Sequence, residues 1–214
     1  STPIGNTRDI TVRAIELLKS ADVIICEEMK PTRVLLKKIG LGGGEGLPDP
    51  KELHQLNEHS KPEDLKPLVA LCRTRAVVLV SDCGTPGFCD PGADLVKACQ
   101  KEGIKIDVAP GASSLMALLS LTGERADEFY FCGFLPNEGQ KRKVKIDELK
   151  KIRVPIVIMD TPYRLETTLR ELNEGGFGPR TAILGAELTG QQQVLRKDTI
   201  ANLAKAKFGK LPFV

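Results

Sequence analysis

Short apolar runs alternate with helix-like segments along this chain, and that alternation restricts its fold more than any other feature. Residues 22–26, which are apolar after Asp22, and residues 76–80 are runs of strand length, typical of strands that are buried on both faces. Apolar residues at helical spacing occupy residues 6–21, before the first run, and residues 90–99, after the second. A succession of strands and helices of this kind predicts parallel sheets covered by helices.

The same alternation extends to the end of the sequence. Pro31 near a first turn and Gly40 just past an end bound a second helix, and the capping pattern Ser60-x-x-Glu63 predicts another helix through Cys72. Between them, residues 42–48 are rich in glycine and proline and are predicted to form a loop. In the second half we predict strands at 129–134, 154–159 and 181–186, helices at 140–151, 162–173 and 201–207, and a strand beginning at 210.

Composition excludes several classes of protein. Hydrophobic residues at 41% and charged residues at 28% are typical of a soluble globular protein, and 214 residues suffice for one large or two small domains. No apolar run reaches the roughly 18 residues of a membrane span, and no signal peptide is recognisable, so we expect a cytoplasmic protein without membrane contacts. Both ends of the sequence look truncated, since the first turn has no strand before it and the last strand is incomplete.

Charge and cysteine content narrow the function further. A formal net charge of +3 does not by itself indicate a nucleic-acid-binding protein. Six cysteines without a C-x-x-C pair, together with only two histidines, predict neither a zinc site nor a disulfide framework.

The most informative segment is residues 81–92, Ser-Asp-Cys-Gly-Thr-Pro-Gly-Phe-Cys-Asp-Pro-Gly, between a buried strand and a helix. Ligands bind at this position in open α/β sheets. Gly84 and Gly87 allow the backbone to approach a ligand, Pro86 fixes the turn, and Asp82 or Thr85 can supply polar contacts. An ordinary strand-to-helix loop remains the alternative. Neither G-x-G-x-x-G nor the P-loop pattern occurs, which disfavours dinucleotide oxidoreductases and P-loop NTPases.

A second turn, at residues 110–114, brings backbone N–H groups and the hydroxyls of Ser113 and Ser114 to the start of a helix. This arrangement suits a polar or carboxylate group of a ligand, and it equally fits a simple serine N-cap.

Taken in order, these segments resemble a known family. Residues 2–6 and 9–11, the loop at 81–92, Pro110-Gly111 and the Gly-Phe-Leu-Pro segment at 133–136 are similar to motifs of the tetrapyrrole methylases, in the branch that methylates a ribose of ribosomal RNA. The motifs cover nearly the whole chain.

The resemblance implies a class III methyltransferase with two α/β domains, at residues 1–110 and 111–214, and mostly parallel sheets. It further implies a homodimer that binds S-adenosyl-L-methionine between its domains and methylates a cytidine 2′-hydroxyl of small-subunit rRNA. The cofactor-binding residues that it implies are Pro3, Gly5, Asp82, Gly84, Thr85, Pro86, Gly87, Phe88, Ser113, Ser114, Met159 and Ala186.

Methyl transfer to a hydroxyl requires in-line alignment and removal of the hydroxyl proton. The candidate catalytic residues are Glu27, Glu58 and Glu187, with Glu28 and His59 as further candidate bases, all at strand ends or in loops. Each of them could also be a solvated surface charge.

The chain also departs from the family pattern. Met29-Lys30 replace a threonine and an arginine, and Ala186 and Gly190 stand where the cations that flank Glu187-Leu188-Thr189 are expected. These changes remove potential phosphate contacts, although the basic segment at residues 141–145 could bind phosphate if it is not simply a solvated helix face. A tetrapyrrole or other small-molecule acceptor, or an inactive ligand-binding relative, therefore remains an alternative.

Overall fold

The computed structural model describes residues 1–42, 51–209 and 212–214, in which the chain divides into two units, Ser1–Ser113 and Ser114–Val214. Most of the predicted loop at 42–48 and the start of the strand predicted at 210 lie outside the described residues. None of the described helices is long and apolar enough to cross a membrane. In the same ranges, no group of three or more histidine, cysteine, aspartate or glutamate side chains is arranged to hold a metal ion.

A parallel sheet with the strand order β2-β1-β3 forms the centre of the first unit. The central strand β1 (Val23–Cys26) is wholly buried, and it pairs with β2 (Glu52–Gln55) and β3 (Val77–Val80). The predicted strands at 22–26 and 76–80 are thus confirmed. The sequence pattern missed β2, because this edge strand is half exposed and reads Glu-Leu-His-Gln rather than as an apolar run.

Helices cover both faces of this sheet, which explains why β1 is apolar throughout. On one face, α1 (Val12–Ser20) and α2 (Met29–Lys38) place Leu18 and Leu36 against the strand residues Ile24 and Cys26. On the other face, α3 (Pro62–Thr74) and α4 (Gly92–Lys101) place Leu68 and Leu95 against Val23 and Ile25.

The first helix begins later than predicted. Asn6 accepts a hydrogen bond from the Arg8 N–H (3.0 Å), but it caps only a short 3-10 turn at Thr7–Asp9. α1 starts at Val12, where the Thr11 hydroxyl accepts a hydrogen bond from the Ala14 N–H at 3.1 Å. The Thr11 hydroxyl therefore caps α1, which begins after the start of the helical segment predicted at 6–21.

The cap predicted at Ser60 is also displaced. α3 begins at Pro62, whose fixed φ and missing N–H suit a first helical position. The Lys61 N–H then donates to the Asp64 carboxylate at 2.8 Å, and Ser60 instead accepts a hydrogen bond from the Asn57 N–H at 3.0 Å. The side chain that accepts the hydrogen bond from the N-cap backbone is thus that of Asp64, one residue beyond the predicted Glu63.

In its described residues the second unit contains two strand pairs, and Phe213 forms isolated bridges to Asp160, after one pair, and to Ala186 of the other. After α5 (Ser114–Leu121), β4 (Tyr130–Phe134) pairs in parallel with β5 (Ile156–Met159), and β6 (Thr181–Ala186) pairs antiparallel with β7 (Val194–Thr199). The sequence pattern did not predict β7, which is largely polar and exposed. At the end of the chain, Val214 and Gly185 exchange two backbone hydrogen bonds of 2.8 and 3.0 Å, so residues 212–214 run along β6.

The helices of the second unit are α6 (Gly139–Leu149), α7 (Leu165–Leu172), a π-helical turn at Asn173–Phe177, and α8 (Ile200–Leu203). α7 begins three residues later than the predicted helix at 162–173, and α8 ends four residues earlier than the predicted helix at 201–207. Two apolar clusters form the core of this unit, one centred on Leu135 and Leu149 and the other on Leu165 and Ala186.

The basic segment at 141–145 is not a free cationic face. Arg142 is buried, with 2% of its surface exposed, and its guanidinium donates to Asp160 at 2.7 Å. Lys141 pairs with Glu138 at 2.8 Å, and Lys145 donates to the Tyr130 hydroxyl at 3.2 Å. The phosphate-binding interpretation of this segment is therefore wrong for Arg142, whose donors are used inside the unit.

Candidate functional site

Two carboxylates meet at the carboxyl ends of β1 and β3. Glu27 directly follows β1, and Asp82 lies two residues beyond β3, so the parallel pairing of these strands brings them together. The Asp82 N–H donates to Glu27 Oε2 at 3.3 Å, and the Glu28 N–H donates to Asp82 Oδ1 at 3.1 Å. The two strand ends are thus joined by reciprocal contacts between a backbone amide and a carboxylate.

Burial changes the acidity of both carboxyl groups. Partial desolvation raises the pKa of Glu27, and the negative charges of Asp82, Asp90 and Glu28 raise it further. Desolvation is also the main cause of the raised pKa of Asp82, and the charge of Glu28 adds to it. A half-buried carboxylate with a raised pKa at a sheet edge is a typical candidate for a catalytic base.

The loop between β3 and α4 packs against the first residues of the chain. The Thr2 N–H donates to the Gly84 carbonyl at 2.8 Å, while the Thr2 hydroxyl donates to the Ser81 carbonyl at 3.0 Å. Ser81 Oγ donates to the same Gly84 carbonyl at 3.0 Å. Thr2 and Ser81 are both buried, so this end of the loop is fixed by hydrogen bonds in the interior.

Asp90 holds the other end of the loop. Both oxygens of its carboxylate accept the Gly87 N–H at 2.9 Å, and Oδ1 also accepts the Gly92 N–H at 2.8 Å. Gly84 and Gly87 have φ values of +86° and +75°, which favour glycine. We did not predict from the sequence that Asp90 would accept these backbone hydrogen bonds. An aspartate close to a helix start is nevertheless a recognised signal for side-chain to backbone hydrogen bonding.

The turn at 110–113 lies beside the same loop. The Thr85 hydroxyl donates to the Ala112 carbonyl at 3.4 Å. A Cβ placed on Gly84 would lie 3.6 Å from that carbonyl oxygen and 3.5 Å from Cγ2 of Ile4. The structure therefore brings together three predicted segments of the first unit: the first residues, the loop at 81–92 and the turn at 110–113.

The remaining candidates in the first unit differ in their surroundings. Pro3 and Gly5 flank Ile4, whose carbonyl accepts a hydrogen bond from the Cys83 thiol (3.7 Å). Phe88 is 54% exposed. Ser113 is the last residue of this unit.

The candidate bases Glu58 and His59 are solvated. Their side chains are 84% and 83% exposed and lie 3.8 Å apart. The neighbouring Asn57 nevertheless donates to Glu28 Oε1 at 3.4 Å, so this segment contacts the acidic end of β1.

Four predicted residues belong to the second unit. Ser114 is the first residue of α5, Met159 ends β5, and Ala186 ends β6 with no exposed surface. Glu187 follows with φ +45°, and Thr189 has φ +65°. Such values are unfavourable for these residues, and strained backbone of this kind concentrates at functional sites.

Comparison with known proteins places the chain among methyltransferases. Residues 1–204 match the family model "Tetrapyrrole (Corrin/Porphyrin) Methylases". The chain is 37% identical over 193 residues to ribosomal RNA small subunit methyltransferase I of Thermotoga maritima, covering 90% of this chain and 82% of that protein. It is 36% identical to the protein of the same name from Mesorhizobium japonicum, covering 95% and 67% of the two chains.

Solved structures share the fold at lower identity. A diphthine synthase superposes with a TM-score of 0.76 at 18% identity, over 99% of this chain and 84% of the other. Uroporphyrin-III C-methyltransferase from Thermus thermophilus, complexed with S-adenosylhomocysteine, gives a TM-score of 0.63 at 20% identity, over 98% and 91%. These likenesses confirm the predicted α/β fold class with two strand-and-helix units and mostly parallel sheets.

Proposed function

The chain belongs to the tetrapyrrole (corrin/porphyrin) methylase family, and from that membership we propose that it transfers the methyl group of S-adenosylmethionine to a cytidine 2′-hydroxyl in small-subunit ribosomal RNA. One observation supports this choice of acceptor above all. The relatives that are 36–37% identical over most of this chain are named for small-subunit ribosomal RNA, whereas the tetrapyrrole-methylating enzyme from Thermus thermophilus is only 20% identical.

The loop of the first unit combines glycines, an apolar ring and negative charge, which together suit the binding of a cationic nucleoside. Gly84 and Gly87 carry no side chain where the loop turns, and Phe88 exposes an apolar ring beside them. The carboxylate of Asp82 offers negative charge toward a sulfonium or an amino group. These features fit S-adenosylmethionine, which supplies an electrophilic methyl carbon and needs no further activation by the protein.

We assign the binding of this cofactor to the segments that meet at the loop. Pro3 and Gly5, residues 82–88, and Ser113 would hold it in the first unit. On the basis of similarity to the family, we propose that Ser114, Met159 and Ala186 also bind the cofactor.

Glu27 is the proposed base. It is half buried and its pKa is raised, whereas Glu58 is almost fully exposed. Glu187, in the second unit, stays a candidate base predicted from the sequence. In this proposal the ionised Glu27 carboxylate would take the proton of the ribose hydroxyl while the hydroxyl oxygen bonds to the methyl carbon. The bond between that carbon and the sulfonium sulfur would break at the same time, and S-adenosylhomocysteine would leave. The hydrogen bond from the Asp82 N–H positions the accepting carboxylate.

A methyl-transfer assay tests the acceptor. With tritiated S-adenosylmethionine, we expect label to enter unmethylated small-subunit RNA or subunits, and to be absent when the target cytidine is replaced by 2′-deoxycytidine. Uroporphyrinogen and precorrin serve as competing acceptors in the same assay. Label in a tetrapyrrole but not in RNA would overturn the proposed acceptor, and binding of the donor without transfer to any of them would favour an inactive relative.

We extend the proposal to location and assembly. Ribosomal RNA as substrate is consistent with the expected cytoplasmic location, and family similarity is the ground for the predicted homodimer. Sedimentation of the purified chain as a monomer would contradict the dimer.

A further inference from the structure

A groove on the first unit runs beside the proposed active site without forming part of it. Its volume is about 390 Å³, and it runs along α4 from Pro91 to Lys101, beside the start of α3. The residues that line it include Asn57, Lys61, Pro91, Asp94, Lys97 and Lys101.

The groove is positively charged. Three lysines line it against a single carboxylate, that of Asp94. Across the part of the chain that the structure describes, no ion pair involves any of these lysines. Of the nearby acids, Glu102 pairs with Arg73, and Asp64 accepts the Lys61 N–H. The residues that line the groove therefore carry more positive than negative charge.

Two helix N-termini also lie at the groove, although carboxylates in their first turns, Glu63 and Asp64 on α3 and Asp94 on α4, offset part of their positive charge. α3 has 13 residues and α4 has 10, and both begin at the groove, at Pro62 and Gly92. The N-terminal end of a helix carries a partial positive charge, which favours anions. Lys97 and Lys101 lie one turn apart on α4, so their side chains project from the same face.

The groove is continuous with the proposed site through two of its lining residues. Asn57 lines the groove and donates to Glu28 Oε1, next to the proposed base Glu27. Pro91 also lines the groove, and it directly follows Asp90, whose carboxylate holds the Gly87 N–H. An extended polyanion with one nucleotide at the sheet edge would therefore pass over the lysines.

We propose that this groove binds backbone phosphates of the RNA acceptor next to the nucleotide that is methylated. The inference rests on the proposed function and deepens it by naming the surface that holds the substrate. Lysine binds phosphate as a point charge without base specificity, so the groove contributes affinity and register rather than sequence recognition.

The salt dependence of RNA binding tests this surface. Each lysine–phosphate contact contributes a slope of about 0.7 for single strands and about 0.9 for duplex in a plot of log affinity against log salt. For Lys97→Ala/Lys101→Ala in the full chain, we expect the slope to fall by about 1.4 to 1.8. The probe is a fluorescent fragment of small-subunit RNA, measured by anisotropy between about 50 and 200 mM salt.

A matched variant controls for net charge. Lys37→Ala/Lys38→Ala removes the same charge from α2, on the opposite face of the same sheet, and is expected to change the slope much less. Lys97→Arg/Lys101→Arg should retain the wild-type slope. In all three variants, affinity for S-adenosylmethionine should stay at the wild-type value, because the substitutions lie outside the loop.

The outcomes separate the two proposals. Wild-type RNA binding with equal slopes for the α4 and α2 variants would overturn the groove assignment and leave the proposed function intact. If the wild-type chain neither binds nor methylates the RNA, the RNA acceptor itself is wrong and the groove proposal falls with it.

Discussion

Replacing Glu27 by glutamine is expected to lower kcat for methyl transfer by about 10²–10⁴-fold, the usual contribution of a positioned general base. Glutamine retains an oxygen that can accept the Asp82 N–H, so the loop between β3 and α4 should keep its geometry. Affinity for the methyl donor should therefore change much less than the rate. Single-turnover measurements at saturating donor and RNA report the chemical step.

The direction of the pH dependence of the methyl-transfer rate follows from the protonation state of Glu27. The base acts when it is ionised, and the pKa of Glu27 is raised by burial and by neighbouring carboxylates. The wild-type rate should accordingly rise as pH increases through this raised pKa and then level off. Glu27→Gln should lose that rising limb. Glu58→Gln, at a side chain that is 84% exposed, is the matched control and should retain both rate and profile. A Glu27→Gln variant that keeps the wild-type rate and limb would exclude Glu27 as the base.

Replacing Arg142 by alanine is expected to lower the free energy of unfolding by about 3–5 kcal/mol, the cost of breaking a buried ion pair from one side. The guanidinium donates to Asp160 at 2.7 Å and to the Thr168 hydroxyl at 2.6 Å, and it also contacts Glu171. Its side chain and that of Asp160 are 3% and 1% exposed. Removing it leaves the Asp160 carboxylate buried without its main counter-charge.

The same helix provides the control for Arg142. Lys143 is exposed on α6, so Lys143→Ala should change the free energy of unfolding by less than about 0.5 kcal/mol. Urea denaturation monitored by circular dichroism compares the two variants. If Arg142→Ala unfolds at the same urea concentration as Lys143→Ala, the buried network does not stabilise the second unit.

Much of the fold could be predicted because buried strands appear in the sequence as continuous apolar runs. β1 and β3 are apolar throughout since helices cover both faces of the sheet, and the loop at 81–92 is marked by its glycines and prolines. β2 and β7 could not be predicted in the same way. Both are exposed edge strands with polar sequences, and only pairing with a neighbouring strand makes them extended.

The candidate site was only partly predictable, because sequence position does not reveal solvation. Glu27 and Glu58 are equivalent as sequence candidates, but one is half buried beside Asp82 and the other is in solvent. Arg142 likewise looked like one of several cations in a basic segment. Its burial depends on the long-range contacts with Asp160 and Thr168, which no local pattern encodes.

The proposed function depends on binding of the methyl donor by the loop that Thr2 and Asp90 hold in place. Isothermal titration of S-adenosylmethionine into the wild-type chain and Gly87→Val tests it most directly. Valine at φ +75° strains the turn and fills the space next to the backbone, whereas Gly103→Val introduces the same strain at φ +67°, beyond the end of α4. We predict one donor site per chain, weakened at least about tenfold in Gly87→Val, or about 1.4 kcal/mol, and retained in Gly103→Val. Equal affinity in the wild-type chain and Gly87→Val would contradict the assignment.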